Sequence, residues 1–246
     1  MIQILPNYSL TYLLHIFLAL VSFACYYRVK KGYEKKGIKS LFYFQRFFLI
    51  FSGFMLMNGL PMLVMTELDP VQQGAFYIMA RPFLYVSLAY FIQVPFSISF
   101  PKYKKYAVGF NLVYGAVAWF TNFHFWTLNS IEASSVPVGF IEEVLITRMD
   151  VVGPIGPMIG IIVILNWIVF GLIYFGYQAF KAEGTTRLKF GLMAIALGIM
   201  TVGGPMHDNA TTAMEFLIAD GLILLGLIVL FAGIYVKKIF QGRNAT

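Results

Sequence analysis

Apolar residues run along this chain in long stretches broken by short polar segments. A stretch of ~20 apolar residues spans a hydrocarbon core about 30 Å thick. Lipid offers no partner to a backbone N–H or C=O, so each stretch must close its hydrogen bonds internally, as a helix. The pattern predicts seven spans, at 9–27, 41–65, 71–100, 107–123, 152–180, 188–205 and 213–236. The third and fifth are longer than a bilayer requires, which implies tilt or extension past the headgroups. The one long connection, 122–150, reads as two short strands (123–130 and 140–147) around a turn at 134–139, a β-hairpin lid over the outer mouth. Its aromatic content argues against disorder. No internal repeat of the kind that marks many transporters is visible. The expected fold class is all-α: a seven-transmembrane helix bundle forming a single domain, 1–246, with a hairpin in loop 4–5.

Composition agrees. Of 246 residues, 59% are hydrophobic and 12% charged, against ~25% charged in ordinary globular domains. Charge then orients the bundle. Fifteen of the 18 Lys and Arg fall in the first, third and fifth connections and the tail, and six of them lie between Arg28 and Lys39. Nine of the 11 acids lie on the opposite side or in its half of the membrane. The positive-inside rule therefore places the N-terminus outside and the C-terminus in the cytoplasm. It also explains the +7 net charge without a nucleic-acid partner. Cys25, the single cysteine, can form no disulfide within the chain and reads as a small apolar filler. The N-terminus lacks a basic leader and a small-residue cleavage site, so its apolar segment reads as a retained helix. The expected location is the plasma (inner) membrane of a prokaryote.

Several runs resemble the seven-helix N-terminal sensor region of prokaryotic histidine kinases. They are the basic connection after helix one, Arg81-Pro82 and Val94-Pro95 in helix three, and Val117–Trp126 at the end of helix four. Gly153-Pro-Ile-Gly-Pro157 opens helix five, and Thr185–Lys189 precedes helix six. The resemblance covers nearly the whole chain and implies a sensor. No kinase or other output domain follows the last span, so it implies a standalone module or a subunit that hands its signal to a partner. Microbial rhodopsins share the helix count and orientation, but hold retinal on a lysine midway along helix seven. Here the first lysine of that helix is Lys237, at its cytoplasmic end.

Ionisable groups inside a membrane are costly and are functional candidates by default. Arg81 stands on helix three in a series spaced by four, Gln73, Tyr77, Arg81 and Tyr85, with Gln93 continuing it beyond Ala89. Such spacing makes one slowly drifting face, expected to point into the bundle. Pro82 should kink the helix. Asp220 on helix seven is the expected partner of Arg81. Their pair is either a lock between helices three and seven or part of a ligand site. Asn58-Gly-Leu-Pro61 in helix two and Gly203–Asn209 ending helix six collect helix breakers on the outer side, and helix six is expected to unwind there. His15, His124 and His207 map to the outer half with Asp208, Glu215, Glu142 and Glu143, but without metal-ligand spacing, so no metal is assigned.

No nucleophile elbow, phosphate loop or metalloprotease helix is present, and neither an enzyme nor a cofactor is expected. The expected ligand-binding residues are Arg81, Asp220, Tyr77, Tyr85, Asn58 and His207. The leading expectation is a receptor-like sensor that binds a small apolar or amphipathic ligand in an outer-half cavity among helices two, three, six and seven. Its partners would be membrane lipids, the small molecule, and a cytoplasmic or membrane protein. The alternatives are a small-solute transporter or channel, and a structural subunit of a membrane complex.

Overall fold

The computed structural model describes the backbone of residues 10–64, 70–126, 132–138, 141–148, 165–166, 168–210 and 213–241. Within these, the side chains of 10–12, 61–64, 70–75, 77, 121–126, both strands, 208–209, 213 and 237–241 are not described. The described helices are α1 (Leu10–Lys36), α2 (Lys39–Val64), α3 (Pro70–Ser99), α4 (Lys104–Trp126), α5 (Tyr174–Lys181), α6 (Gly184–Asn209) and α7 (Ala213–Gln241). A 3-10 turn, Pro101–Tyr103, joins α3 to α4, and a π-helical turn, Ile168–Ile173, leads into α5. The chain groups into two compact units, Met1–Ile159 with Ala210–Leu217, and Gly160–Asn209 with Ile218–Thr246.

In the first unit α1, α2, α3 and α4 each pack on the next in chain order. The basic segment after the first span is not a loop. Its Lys, Arg and Glu are good helix formers, and α1 continues through them to Lys36. The stop is Gly37, whose φ of +64° only glycine adopts without strain, with its N–H donating to Tyr33 C=O at 2.7 Å. Only Gly37 and Ile38 separate α1 from α2, so the two helices are antiparallel neighbours. Ser22 Oγ donates to Phe48 C=O and Ser52 Oγ to Ala19 C=O, both at 2.8 Å. These reciprocal bonds are the polar contacts that hold helices together where lipid supplies no hydrophobic drive. Phe44 and Phe47 on α2 make ring contacts with Phe91 on α3, and Phe48 and Phe51 pack against Phe47 along α2.

Helix α3 continues through Pro82 and Pro95. Tyr85, Ala89 and Val94 are buried, whereas Met79 and Phe83 are exposed. Of the expected polar stripe, Tyr85 thus faces inward, whereas Arg81 and Gln93 are half-buried. On α4, Phe110, Val113, Val117 and Phe120 are 58–69% exposed, while Asn111 and Ala118 are buried. That is a large apolar stripe outside and a small or polar face inside, the arrangement lipid favours. Where α2 and α4 begin, Lys104 Nζ donates to Tyr43 OH at 2.7 Å.

The long connection carries an antiparallel hairpin, β1 (Glu132–Val138) and β2 (Ile141–Arg148). It lies further along the chain than expected: 123–126 still belong to α4, and most of the segment read as the turn is β1. The register runs from Glu132 opposite Arg148 to Val138 opposite Ile141, with an irregularity at Pro137, which has no N–H for the ladder.

In the second unit α5 packs on α6. At the π-helical turn a Cβ on Gly171 would lie 2.9 Å from Leu197, so glycine permits the approach to α6. Helix α6 does not unwind at Gly203-Gly-Pro; it remains helical to Asn209. Along α7, Gly226 and Gly233 meet α6 closely: a Cβ on Gly226 would lie 3.0 Å from Ala196 C=O, and one on Gly233 3.2 Å from Lys189 C=O. On α6, a Cβ on Gly203 would lie 3.0 Å from Ala219 C=O. Small residues at positions 219, 226 and 233 recur every two turns, which brings the two backbones together along one seam.

Candidate functional site at the α6–α7 turn

Residues near the adjoining ends of two antiparallel helices meet through the direction of their side chains. Each Cα–Cβ bond tilts toward its own helix N-terminus. His207 stands two residues before the end of α6 and Asp220 seven residues after the start of α7. The two side chains therefore lean toward each other. His207 Nδ1 lies 3.0 Å from Asp220 Oδ1. The Asp220 side chain has no exposed surface, whereas that of His207 is 17% exposed. Gly203, one turn before His207, packs on Ala219, Leu222 and Ile223 and sets the close helix spacing that the pair needs. An imidazole in contact with a buried carboxylate can share or exchange a proton, or hold a cationic or hydrogen-bonding ligand group.

The other expected site residues lie in the first unit. Arg81 is half-buried on α3, and Asn58 is buried on α2. Tyr85 is buried on α3 with its ring edge-on to Tyr114, centroids 6.5 Å apart. Gly115 makes room for that ring, since a Cβ there would lie 2.6 Å from Tyr85 Cβ. Tyr77 lies on α3, with its side chain outside the described residues. His207 and Asp220 are thus brought together directly, a contact absent from the sequence expectations, which matched Asp220 with Arg81 by opposite charge and similar depth. Tilt of the Cβ bonds across a short helix connection was the signal available for it. Buried Gln45, Asn111 and Asn166 are further polar groups that sequence reading did not select.

Among the described residues, five helical segments are long and apolar enough to cross a membrane: Leu13–Lys36, Lys39–Leu60, Ile78–Ser99, Gly184–His207 and Met214–Val236. With large apolar side chains exposed along α1, α4, α6 and α7, they define the class: a helical integral membrane protein. No protein-family model matches the chain, and a search of curated proteins finds no match.

Proposed function

We propose that this protein is a receptor-like sensor with seven spans, its N-terminus outside and its C-terminus in the cytoplasm of a prokaryote. It binds a small apolar or amphipathic ligand and passes the signal to a separate protein partner. The observation that carries this reading is the fully buried Asp220 carboxylate 3.0 Å from His207. An ionisable side chain at that depth is costly to hold and is a functional candidate by default. Beyond the pair, α6 and α7 touch through glycines, and packed helices of this kind respond to a local change by a small discrete shift. A ligand with different affinity for the two arrangements shifts their balance. The placement of 15 of 18 basic residues supports the orientation.

Transport is the second reading, because buried acid–histidine pairs also serve proton relays. The test of ligand binding is thermal unfolding of the full chain in nanodiscs against medium-chain fatty acids and isoprenoid quinones. Saturable stabilisation by one class, lost in Asp220→Asn, is the expected result. Equal response of wild type and variant to every compound would remove Asp220 from the ligand site.

A further inference from the structure

The turn between α5 and α6 opens a groove of about 340 Å³, lined by Ala179, Arg187, Leu188, Gly191, Leu192 and Ile195. Its depth comes from missing side chains: a Cβ on Gly191, or on Gly184 at the rim, meets nothing within 4 Å. The walls are apolar and outward-facing, with Leu188 40% and Ile195 56% exposed. The turn carries exposed Lys181 and Arg187 with one exposed acid, Glu183. Arg187 is exposed there, and among the described residues no ion pair engages it. Lys181, the last residue of α5, holds its ammonium 4.5 Å over the Tyr177 ring. The apolar span of α6 begins at Gly184, so the rim lies where the helix leaves the hydrocarbon and the trough runs into it.

A cation at the water boundary joined to an apolar trough descending along the span is complementary to one kind of molecule. We propose that the groove is a binding site for an anionic phospholipid, with its phosphate at Arg187 and one acyl chain along Gly191, Leu192 and Ile195. Basic pockets between transmembrane helices on the cytoplasmic side take acidic headgroups in this way, and that leaflet is the anionic one. The site is separate from the His207–Asp220 pair; it rests on the proposed orientation but not on the sensor reading.

The experiment is native mass spectrometry of the full chain in detergent, titrated with phosphatidylglycerol and with phosphatidylcholine bearing the same acyl chains. Wild type is expected to prefer phosphatidylglycerol. Arg187→Gln is expected to reduce that preference about fivefold, the worth of one basic side chain at an anionic surface. Gly191→Leu fills the trough and is expected to weaken both lipids. Gly176→Leu, where a Cβ also meets open space but outside the groove, is expected to bind as wild type does and controls for folding. Unchanged binding in Gly191→Leu, or unchanged preference in Arg187→Gln, would overturn the proposal. So would displacement of the lipid by glycerol 3-phosphate at equal concentration, which would make the site a simple anion site.

Discussion

The α6–α7 seam makes a quantitative demand at Gly226. A Cβ there would lie 3.0 Å from the carbonyl oxygen of Ala196 and would also meet the Met200 side chain. Met200 can change rotamer, but the Ala196 carbonyl belongs to α6 and moves only with the helix. Overpacking of this kind costs about 1–3 kcal/mol. Replacing a helical glycine with alanine itself returns roughly 0.5–1 kcal/mol. Gly226→Ala should therefore destabilise by about 0–2.5 kcal/mol, the difference of the two terms. Gly221→Ala is the control on the same helix: a Cβ there meets nothing within 4 Å, so only the helix-propensity gain remains and the variant should be neutral or more stable. The assay is SDS-induced unfolding of the full chain in mixed micelles, followed by far-UV circular dichroism. Adding Met200→Ala to Gly226→Ala should recover the side-chain part of the loss and leave the carbonyl part. If Gly226→Ala matches Gly221→Ala in stability, the two backbones do not approach as described.

Three further outcomes follow from other parts of the molecule. Ser22→Ala and Ser52→Ala each remove one bond between α1 and α2, and each should cost about 0.6 kcal/mol and no more than ~2 in the same unfolding assay; no loss in either would mean that these bonds do not hold the hairpin. Under the proposed topology, a cysteine label at Gly32 should react only from the cytoplasmic side and one at Ser134 only from outside, in a background lacking Cys25; the reverse at either position would invert the orientation. His207→Leu leaves the Asp220 carboxylate without its imidazole contact and should cost about 1–3 kcal/mol, with part of the loss recovered by adding Asp220→Asn; strictly additive effects would show that the two residues are not coupled.

The helical architecture was legible because the bilayer imposes length and apolarity on every span. The expected 71–100 and the observed Pro70–Ser99 differ by one residue at each end. The errors have local causes. The run Arg28–Lys36 looked like a loop because it is charged, but charge outside the hydrocarbon does not oppose helix, and Gly37 was the real stop signal. Segment 123–126 was read as the start of a strand in a strand–turn–strand connection, whereas α4 carries its helix through those residues. Gly203-Gly-Pro205 looked like the end of α6, yet glycine there serves the contact with Ala219 and the helix runs on to Asn209. The small residues at 219, 226 and 233 were readable as a two-turn repeat, but a search for polar chemistry passes over them. The π-helical turn at Ile168–Ile173 has no composition signal at all. Of the candidate site, His207 and Asp220 were each selected from the sequence but their contact was not, because opposite formal charge and similar depth matched Asp220 with Arg81.

Sensing and transport separate most directly in sealed vesicles. The full chain is reconstituted into proteoliposomes containing a pH-sensitive dye, with an imposed proton gradient and a potassium–valinomycin potential. A sensor whose His207–Asp220 pair is an internal switch should leave the gradient decaying at the rate of protein-free vesicles, in wild type and in Asp220→Asn alike. A sustained proton flux in wild type that Asp220→Asn abolishes would contradict the account and make the buried carboxylate part of a conduction path.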